Sequence, residues 1–555
     1  MCHFKSFNRR DFLRLAGFGA LTALSGGAAA WLSACVPATA PSIALAASTA
    51  TPGLASFNPD VELALRAVQT EVKILPGQPT QVWTYQGEVL KGDPAVLQFL
   101  PGSYLGPIIR AHQGQKFRIH FTNNLPAESI IHWHGLRVPD TADGHPRHAI
   151  KPDQTYVYEF EVRNRAGTYW FHPHPHGQTG FQVNQGLAGL FLVTDEEEAA
   201  GGLPADAYDL PLVLQDRVFD RDNQFVYLAG GMMDQMMGFL GQDILVNGQP
   251  NFSLPVATRA YRLRLLNGSN SRIYKLAWQD GAPLTVIGSD GGLLAEPIQR
   301  EYVTLAPGER VELWADFRDY QVGTELQMRS LAFSGVEAGM MGGMGQGMMG
   351  GMEHNMDGMG HGMMGGMMTS ALPNGESFPV FTVRVERQEA ETLRLPERLT
   401  IMEPPAVEQA VNSDTPRLFR LFMSNMAWTL NGRTFEMEGV TSAETVQLNS
   451  SEVWELVNEP GQGGMMADFM AHPMHIHGVQ FRVLERQIDP PQAAGWQSVS
   501  AGYVDEGWKD TVLVMPGERV KLLIKFEDYP GLFLYHCHNL EHEDMGMMRN
   551  YRVQA

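Results

Sequence analysis

The sequence predicts an all-β fold of three related two-sheet sandwiches with little helix, and three observations carry that reading. The chain runs to 555 residues, enough for about three or four domains that each bury a core. A strand of alternating character that stops at an asparagine occurs three times along it. Downstream of each copy a proline turn leads into a second strand, and period-two alternation marks strands with one buried face.

The first element is Asn8-Arg9-Arg10-Asp11-Phe12-Leu13-Arg14, followed by a modestly apolar run from Leu15 to Leu32 rich in Gly, Ala, Ser and Thr. It resembles a twin-arginine export leader, over residues 1–47, of the kind that sends proteins out already folded. Two exits stand open: small-residue cleavage at Ala44-Leu45-Ala46, or a lipobox, Leu32-Ser33-Ala34-Cys35, that would leave Cys35 lipidated. No later stretch has the 18 or so consecutive apolar residues that a membrane span requires. The expected body is therefore soluble, monomeric and extracytoplasmic, in a periplasm or its equivalent.

The first domain, residues 55–195, carries Phe117-Arg118-Ile119-His120-Phe121-Thr122-Asn123 and a weaker second strand from Pro152 to Val162. The second, residues 205–387, carries Tyr261-Arg262-Leu263-Arg264-Leu265-Leu266-Asn267 and then Pro307-Gly308-Glu309-Arg310-Val311-Glu312-Leu313-Trp314. The third, residues 400–555, carries Val453-Trp454-Glu455-Leu456-Val457-Asn458 and then Pro516-Gly517-Glu518-Arg519-Val520-Lys521-Leu522-Leu523. Asn247-Gly248 and Asn431-Gly432 are hairpin signals at matching places in the last two. An acidic, Gly-containing stretch from Asp195 to Asp209 and a charged one from Glu386 to Pro405 read as linkers. Within the second domain, residues 340–368 are almost all Met and Gly, too rich in glycine to pack, and are expected to form an insertion.

The formal charge of -20 excludes a nucleic-acid partner, whose phosphates need a basic face. Of the cysteines Cys2, Cys35 and Cys537, the first two fall in the leader, so the body has one thiol and no disulfide. That thiol lies in a histidine motif. Four such motifs occur: His132-Trp133-His134, His172-Pro173-His174, His472-Pro473-Met474-His475-Ile476-His477 and His536-Cys537-His538, with His542 and Met547 after the last. On a strand, residues two apart share a face, so each His-x-His presents two imidazoles to one point. The same alternation throws Cys537 to the side opposite His536 and His538. On the thiolate side His472, Cys537, His542 and Met547 supply the two imidazoles, thiolate and axial thioether of a blue-copper site. The other eight histidines suit a cluster of coppers; a structural zinc site closes with four ligands and rarely takes an axial Met.

Trp170-Phe171-His172-Pro173-His174-Pro175-His176-Gly177 and the run from Tyr535 to Met548 resemble the multicopper oxidases, most nearly their bacterial copper efflux branch. The resemblance spans essentially the whole chain. It implies three cupredoxin-like Greek-key β-sandwich domains and four copper ions. Type 1 copper would sit on His472, Cys537, His542 and Met547, and type 2 on His132 and His475. One type 3 copper would take His134, His172 and His538, the other His174, His477 and His536. His176 is not a ligand in the pattern and reads as a structural residue, as do His112, His120, His145 and His148.

Reducing dioxygen to water needs four protons as well as four electrons, and Asp143 and Glu543 resemble the family's two proton-relay acids. Methionines cluster at 232–237, 340–368, 465–474 and 545–548. Thioethers favour Cu(I), and a packing role would scatter them along strands. The reading is a cuprous oxidase for copper tolerance; the alternatives are a laccase-type oxidase of small aromatic reductants and a copper-sequestering protein. Asp468 and Met470, four and two residues before His472, are expected near an open edge where substrate Cu(I) docks, and the resemblance adds Met352 and Asp357 from the insertion.

Overall fold

The computed structural model describes residues 57–336, 372–460 and 470–555. The export leader with Cys35, the insertion with Met352 and Asp357, and Asp468 lie outside the described residues. Among those described, the strands form six sheets, two in each third of the chain.

The three repeated strands occupy one place in three copies of the same arrangement. Lys116–Asn124, Ala260–Asn267 and Ser450–Asn458 each run parallel to an earlier strand: Val61–Val72, Asp209–Arg217 and Arg417–Ser424 respectively. Each also pairs antiparallel with the strand after its proline turn, Thr155–Glu161, Arg310–Asp316 or Glu518–Phe526. Their alternation buries one face: Phe117, Ile119 and Phe121 in the first core, Leu263 and Leu265 in the second, Trp454 and Leu456 in the third.

The terminal asparagines are joints between sheets and loops. Asn123 Nδ2 donates to the carbonyls of Ala127 and Ile150, Asn267 Nδ2 to those of Arg272 and Leu305, and Asn458 Nδ2 to those of Met470 and Val514. One amide thus ties two backbone carbonyls to the end of the strand. Asn458→Ala is expected to lower stability by about 2 to 4 kcal/mol, from two orphaned acceptors at roughly 1 to 2 kcal/mol each. Denaturant titration reads this, and a loss below about 0.5 kcal/mol would mean that water replaces the amide. The hairpin signals also hold: Asn247 and Gly248 have φ of 52° and 77°, Asn431 and Gly432 of 54° and 74°.

The acidic stretch after the first domain is exposed along most of its length but tied down at both ends. Asp195 caps the helix Glu196–Ala200, and buried Glu198 and Asp209 pair with Arg262 and Arg264. Strand alternation turns those arginines away from Leu263 and Leu265 into a buried layer, where each cation requires an anion. Glu312 completes the cluster, and Thr168 of the first domain donates to it at 2.6 Å. Among the described residues no helix is long and apolar enough to cross a membrane.

Candidate metal centre

Register brings the four histidine motifs together. Ile131–His134 pairs with Gly167–Pro173 so that His132 lies opposite His172. His472–Ile476 pairs with Gly531–Cys537 so that His475 lies opposite His536 and Met474 opposite Cys537. The faces then separate as alternation requires: His475 and His477 look to one side, His472, Met474 and Ile476 to the side of Cys537. The loop carrying Asp143 closes on the first motif through Gly144, at φ 85°, where a Cβ would sit 2.1 Å from the Ile131 carbonyl oxygen. Only glycine fits there.

All eight histidines of the larger cluster are buried. Burial, then the crowding of neighbouring imidazoles, holds His132, His134, His475, His477 and His538 well below the usual histidine range. Neutral rings offer a lone pair each. Nδ1 of His132 donates to the Asp143 carbonyl at 2.6 Å and Nδ1 of His475 to the Asp510 carbonyl at 2.8 Å, which leaves their Nε2 atoms facing one another at 3.2 Å. His477 Nδ1 donates to Asp143 Oδ2 at 2.8 Å and His536 Nδ1 to the Cys537 carbonyl at 3.0 Å. The Nε2 atoms of these two lie 3.0 Å apart, with His174 Nε2 3.4 Å from that of His536.

The remaining rings, His134, His172 and His538, have centroids 4.9 to 5.7 Å apart. His134 Nε2 is 3.1 Å from Asp510 Oδ1 and His172 Nδ1 is 2.9 Å from the Pro173 carbonyl. His134 Nδ1, His172 Nε2 and both nitrogens of His538 have no hydrogen-bond partner among the described residues. Facing lone pairs repel, and a buried polar nitrogen without a partner costs about 1 to 3 kcal/mol. A shared cation removes both penalties.

The second site lies across the strand. Cys537 Sγ is 3.4 Å from His472 Nδ1 and 3.6 Å from His542 Nδ1, and all three residues are buried. Met547 is buried in the same core as Cys537, and its amide donates to the His542 carbonyl at 2.9 Å. Burial pushes the Cys537 thiol above its ordinary range, so a thiolate here requires a cation. Trp428 packs against both His472 and His542 at 4.8 Å, and its indole donates to the Met236 carbonyl.

Asp143 and Glu543 both reach the larger cluster. Glu543 Oε2 is 3.2 Å from His536 Nδ1 and Oε1 is 3.5 Å from His174 Nε2. Burial, and next the Asp140 charge, raises the Asp143 carboxyl well above the usual range. Burial also acts to raise Glu543, but His174 and His536 outweigh it and bring that carboxyl down to about 2.

Two family models described as multicopper oxidase match residues 67–198 and 410–555. A laccase of Bacillus stratosphericus is 30% identical, over 88% of this chain and 93% of its own. The chain belongs to the multicopper oxidase family. The multicopper oxidase McoA of Aquifex aeolicus superposes with a TM-score of 0.71 at 34% identity, covering 90% of this chain and 97% of that one. A laccase-like multicopper oxidase, CueO, from Ochrobactrum sp. superposes at 0.67 and 28% identity, covering 89% and 97%; that enzyme is described as acting on lignin model compounds and lignosulfonate. Copper is the cofactor this family implies, and the donor set of this multicopper oxidase fits it: two imidazoles and one thiolate on one side, a nest of neutral imidazoles on the other.

One expectation needs correction. Met470 is not at an open edge: it is 2% exposed, in the core with Met474 and Cys537. It shares the face of His472 and Met474, and that face is the domain interior. His176, read as a structural residue outside the ligand set, is exposed beside Phe435. His145, read as structural, has both ring nitrogens engaged, with Asn550 Oδ1 and the Arg147 amide. Asp510 was not foreseen. It holds His134 and His475, and Arg310 of the second domain holds it at 2.5 Å.

Proposed function

We propose that this multicopper oxidase takes Cu(I) as its reductant, in an extracytoplasmic, periplasmic compartment reached through the twin-arginine leader, and so confers copper tolerance. The overall change is four Cu(I) and four protons with one dioxygen giving four Cu(II) and two waters. Four resident coppers would be held by the sets assigned above: His472, Cys537, His542 and Met547; His132 and His475; His134, His172 and His538; His174, His477 and His536. When bound, they supply one-electron acceptance at the thiolate and a binding place for dioxygen among the imidazoles.

The rest is done by the chain. His536-Cys537-His538 spans both sites within three residues, so one strand fixes their separation. Asp143 Oδ2 orients His477 through Nδ1, and its carbonyl oxygen orients His132. Glu543, between His174 and His536, is the group placed to accept and pass on protons arriving at the cluster.

The observation that carries the Cu(I) reading is where the methionines fall: Met236, Met470, Met474 and Met547 pack in one core with Cys537, and the sequence crowds further thioethers into residues 340–368. The names of the relatives support a second reading, oxidation of small aromatic reductants as in laccases. Steady-state kinetics on Cu(I) and a small phenol separate the two. Asp468→Ala is expected to lower Cu(I) oxidation about tenfold, a barrier change of about 1.4 kcal/mol, with little effect on the phenol. Removing residues 340–368 should also impair Cu(I) turnover while raising oxidation of bulky phenols. Equal losses on both substrates would favour the laccase reading.

A further inference from the structure

The second domain supplies none of the assigned copper ligands, yet its proline turn forms part of the wall of the larger cluster. Gly308 has a φ of 84°, and a Cβ there would stand 3.0 Å from His538 Cδ2 and 3.1 Å from His134 Cε1. Two residues on, Arg310 is buried. A guanidinium carries five N–H donors in a rigid fork, and here each has an acceptor. Nε donates to the Thr168 carbonyl at 2.9 Å, and Nη1 to the Gly308 carbonyl at 3.0 Å and Asp510 Oδ1 at 2.7 Å. Nη2 donates to the Asp290 carbonyl at 2.8 Å and Asp510 Oδ2 at 2.5 Å. Thr168 belongs to the first domain and Asp510 to the third, so one side chain joins all three beside the cluster.

On its other side Asp510 faces two ligands assigned to different coppers. Its Oδ1 accepts from Thr511 Oγ1 at 2.9 Å and lies 3.1 Å from His134 Nε2, which is also 3.1 Å from Thr511 Oγ1. The Asp510 carbonyl oxygen takes His475 Nδ1 at 2.8 Å. A carboxylate oxygen only accepts, so His134 keeps its proton on Nε2 and its lone pair on Nδ1, the nitrogen without a partner among the described residues. His475 does the reverse, with its lone pair on Nε2 facing His132. Opposite tautomers are thus selected for the two rings, and for His134 the orientation of one carboxylate decides it. The two-point grip of Arg310 is what fixes that orientation. The residue after His134 makes room for the grip: at Gly135, with φ 85°, a Cβ would stand 2.4 Å from Asp510 Oδ2 and 2.7 Å from Arg310 Nη2.

We propose that Arg310 is a positioning residue for the dioxygen half-reaction, acting through Asp510 on His134 and His475, and that this grip is what the second domain contributes to the chemistry. The proposal rests on the copper assignment of the eight histidines and holds for either reductant.

The test is Arg310→Lys in the copper-loaded full chain, which keeps the charge and loses the fork. Oxygen uptake is expected to fall at least about tenfold in kcat, the lower end for a partner behind a metal ligand, and equally with Cu(I) and with a small phenol. Anaerobic bleaching of the blue band should keep its rate. A second readout avoids turnover: the electron paramagnetic resonance signal of type 2 copper, on His132 and His475, should change its hyperfine splitting or vanish with that copper, while the type 1 signal stays as it is. Asp510→Asn, nearly the same in shape, should act alike, and the two together should be no worse than the more severe single variant, because both break one path. Losses that multiply in the double variant, a type 2 signal identical to that of the unaltered protein, or slow bleaching with intact reoxidation would each overturn the proposal. Should Arg310→Lys not fold, an unchanged type 2 signal in Asp510→Asn overturns it just as well, since the whole path runs through that carboxylate. An unaltered chain that loads copper at the thiolate site but shows no type 2 signal would overturn the copper assignment itself, which distinguishes the two failures.

Discussion

Cys537→Ser is expected to abolish the blue colour of the copper-loaded protein and to reduce oxidase activity by at least about a thousandfold, roughly 4 kcal/mol of barrier. The thiol is buried with its sulfur between Nδ1 of His472 and Nδ1 of His542 and receives the Asn539 amide at 3.4 Å. A serine oxygen is nearly the same size, so the core around Met474 and Met547 should stay packed. What it lacks is the soft, easily oxidised sulfur that makes the site a one-electron acceptor. The eight histidines lie on the other face of the strand, so metal analysis should show the loss of about one copper of the four. Loss of all copper, or a fall in thermal stability typical of a core cavity, would mean that the thiol supports the fold and not the redox site.

Glu543→Gln should slow dioxygen reduction about a hundredfold or more, the usual scale for a general acid or base, and leave reduction by substrate nearly unchanged. Only the dioxygen half-reaction consumes protons. Glutamine keeps the reach toward His174 and His536 but has no carboxylate to take one up. Asp143→Asn should act in the same direction, with an added loss of orientation because Asp143 Oδ2 accepts from His477. Stopped-flow bleaching of the blue band under anaerobic conditions, followed by reoxidation with dioxygen, separates the halves. Slow bleaching with intact reoxidation would place these acids at substrate binding instead.

Most ligand histidines were legible because they sit on strands or one residue beyond a strand's end, where spacing of two holds a common face without knowledge of what lies across from it. His176 keeps the same spacing but lies three residues past the strand end at Pro173, exposed beside Phe435. Met470 shows a limit, since alternation tells which face a residue shares and not whether that face opens to solvent. The repeated asparagines were visible as strand stops, while their paired bonds to distant backbone carbonyls required the neighbouring loops and strands to be placed. Asp510 and the Met236 carbonyl left no signal in the sequence. Asp510 meets His134 across 376 positions, and a backbone oxygen has no residue type to recognise.

The most direct test is an oxygen electrode charged with copper-loaded full chain and successive additions of Cu(I), measured above the rate of Cu(I) with dioxygen alone. The expected result is uptake of about one dioxygen for every four Cu(I), sustained over many turnovers and without hydrogen peroxide, as the four-electron reaction requires. Uptake that stops once the protein has bound its complement of copper would contradict it and identify a copper store in place of an oxidase.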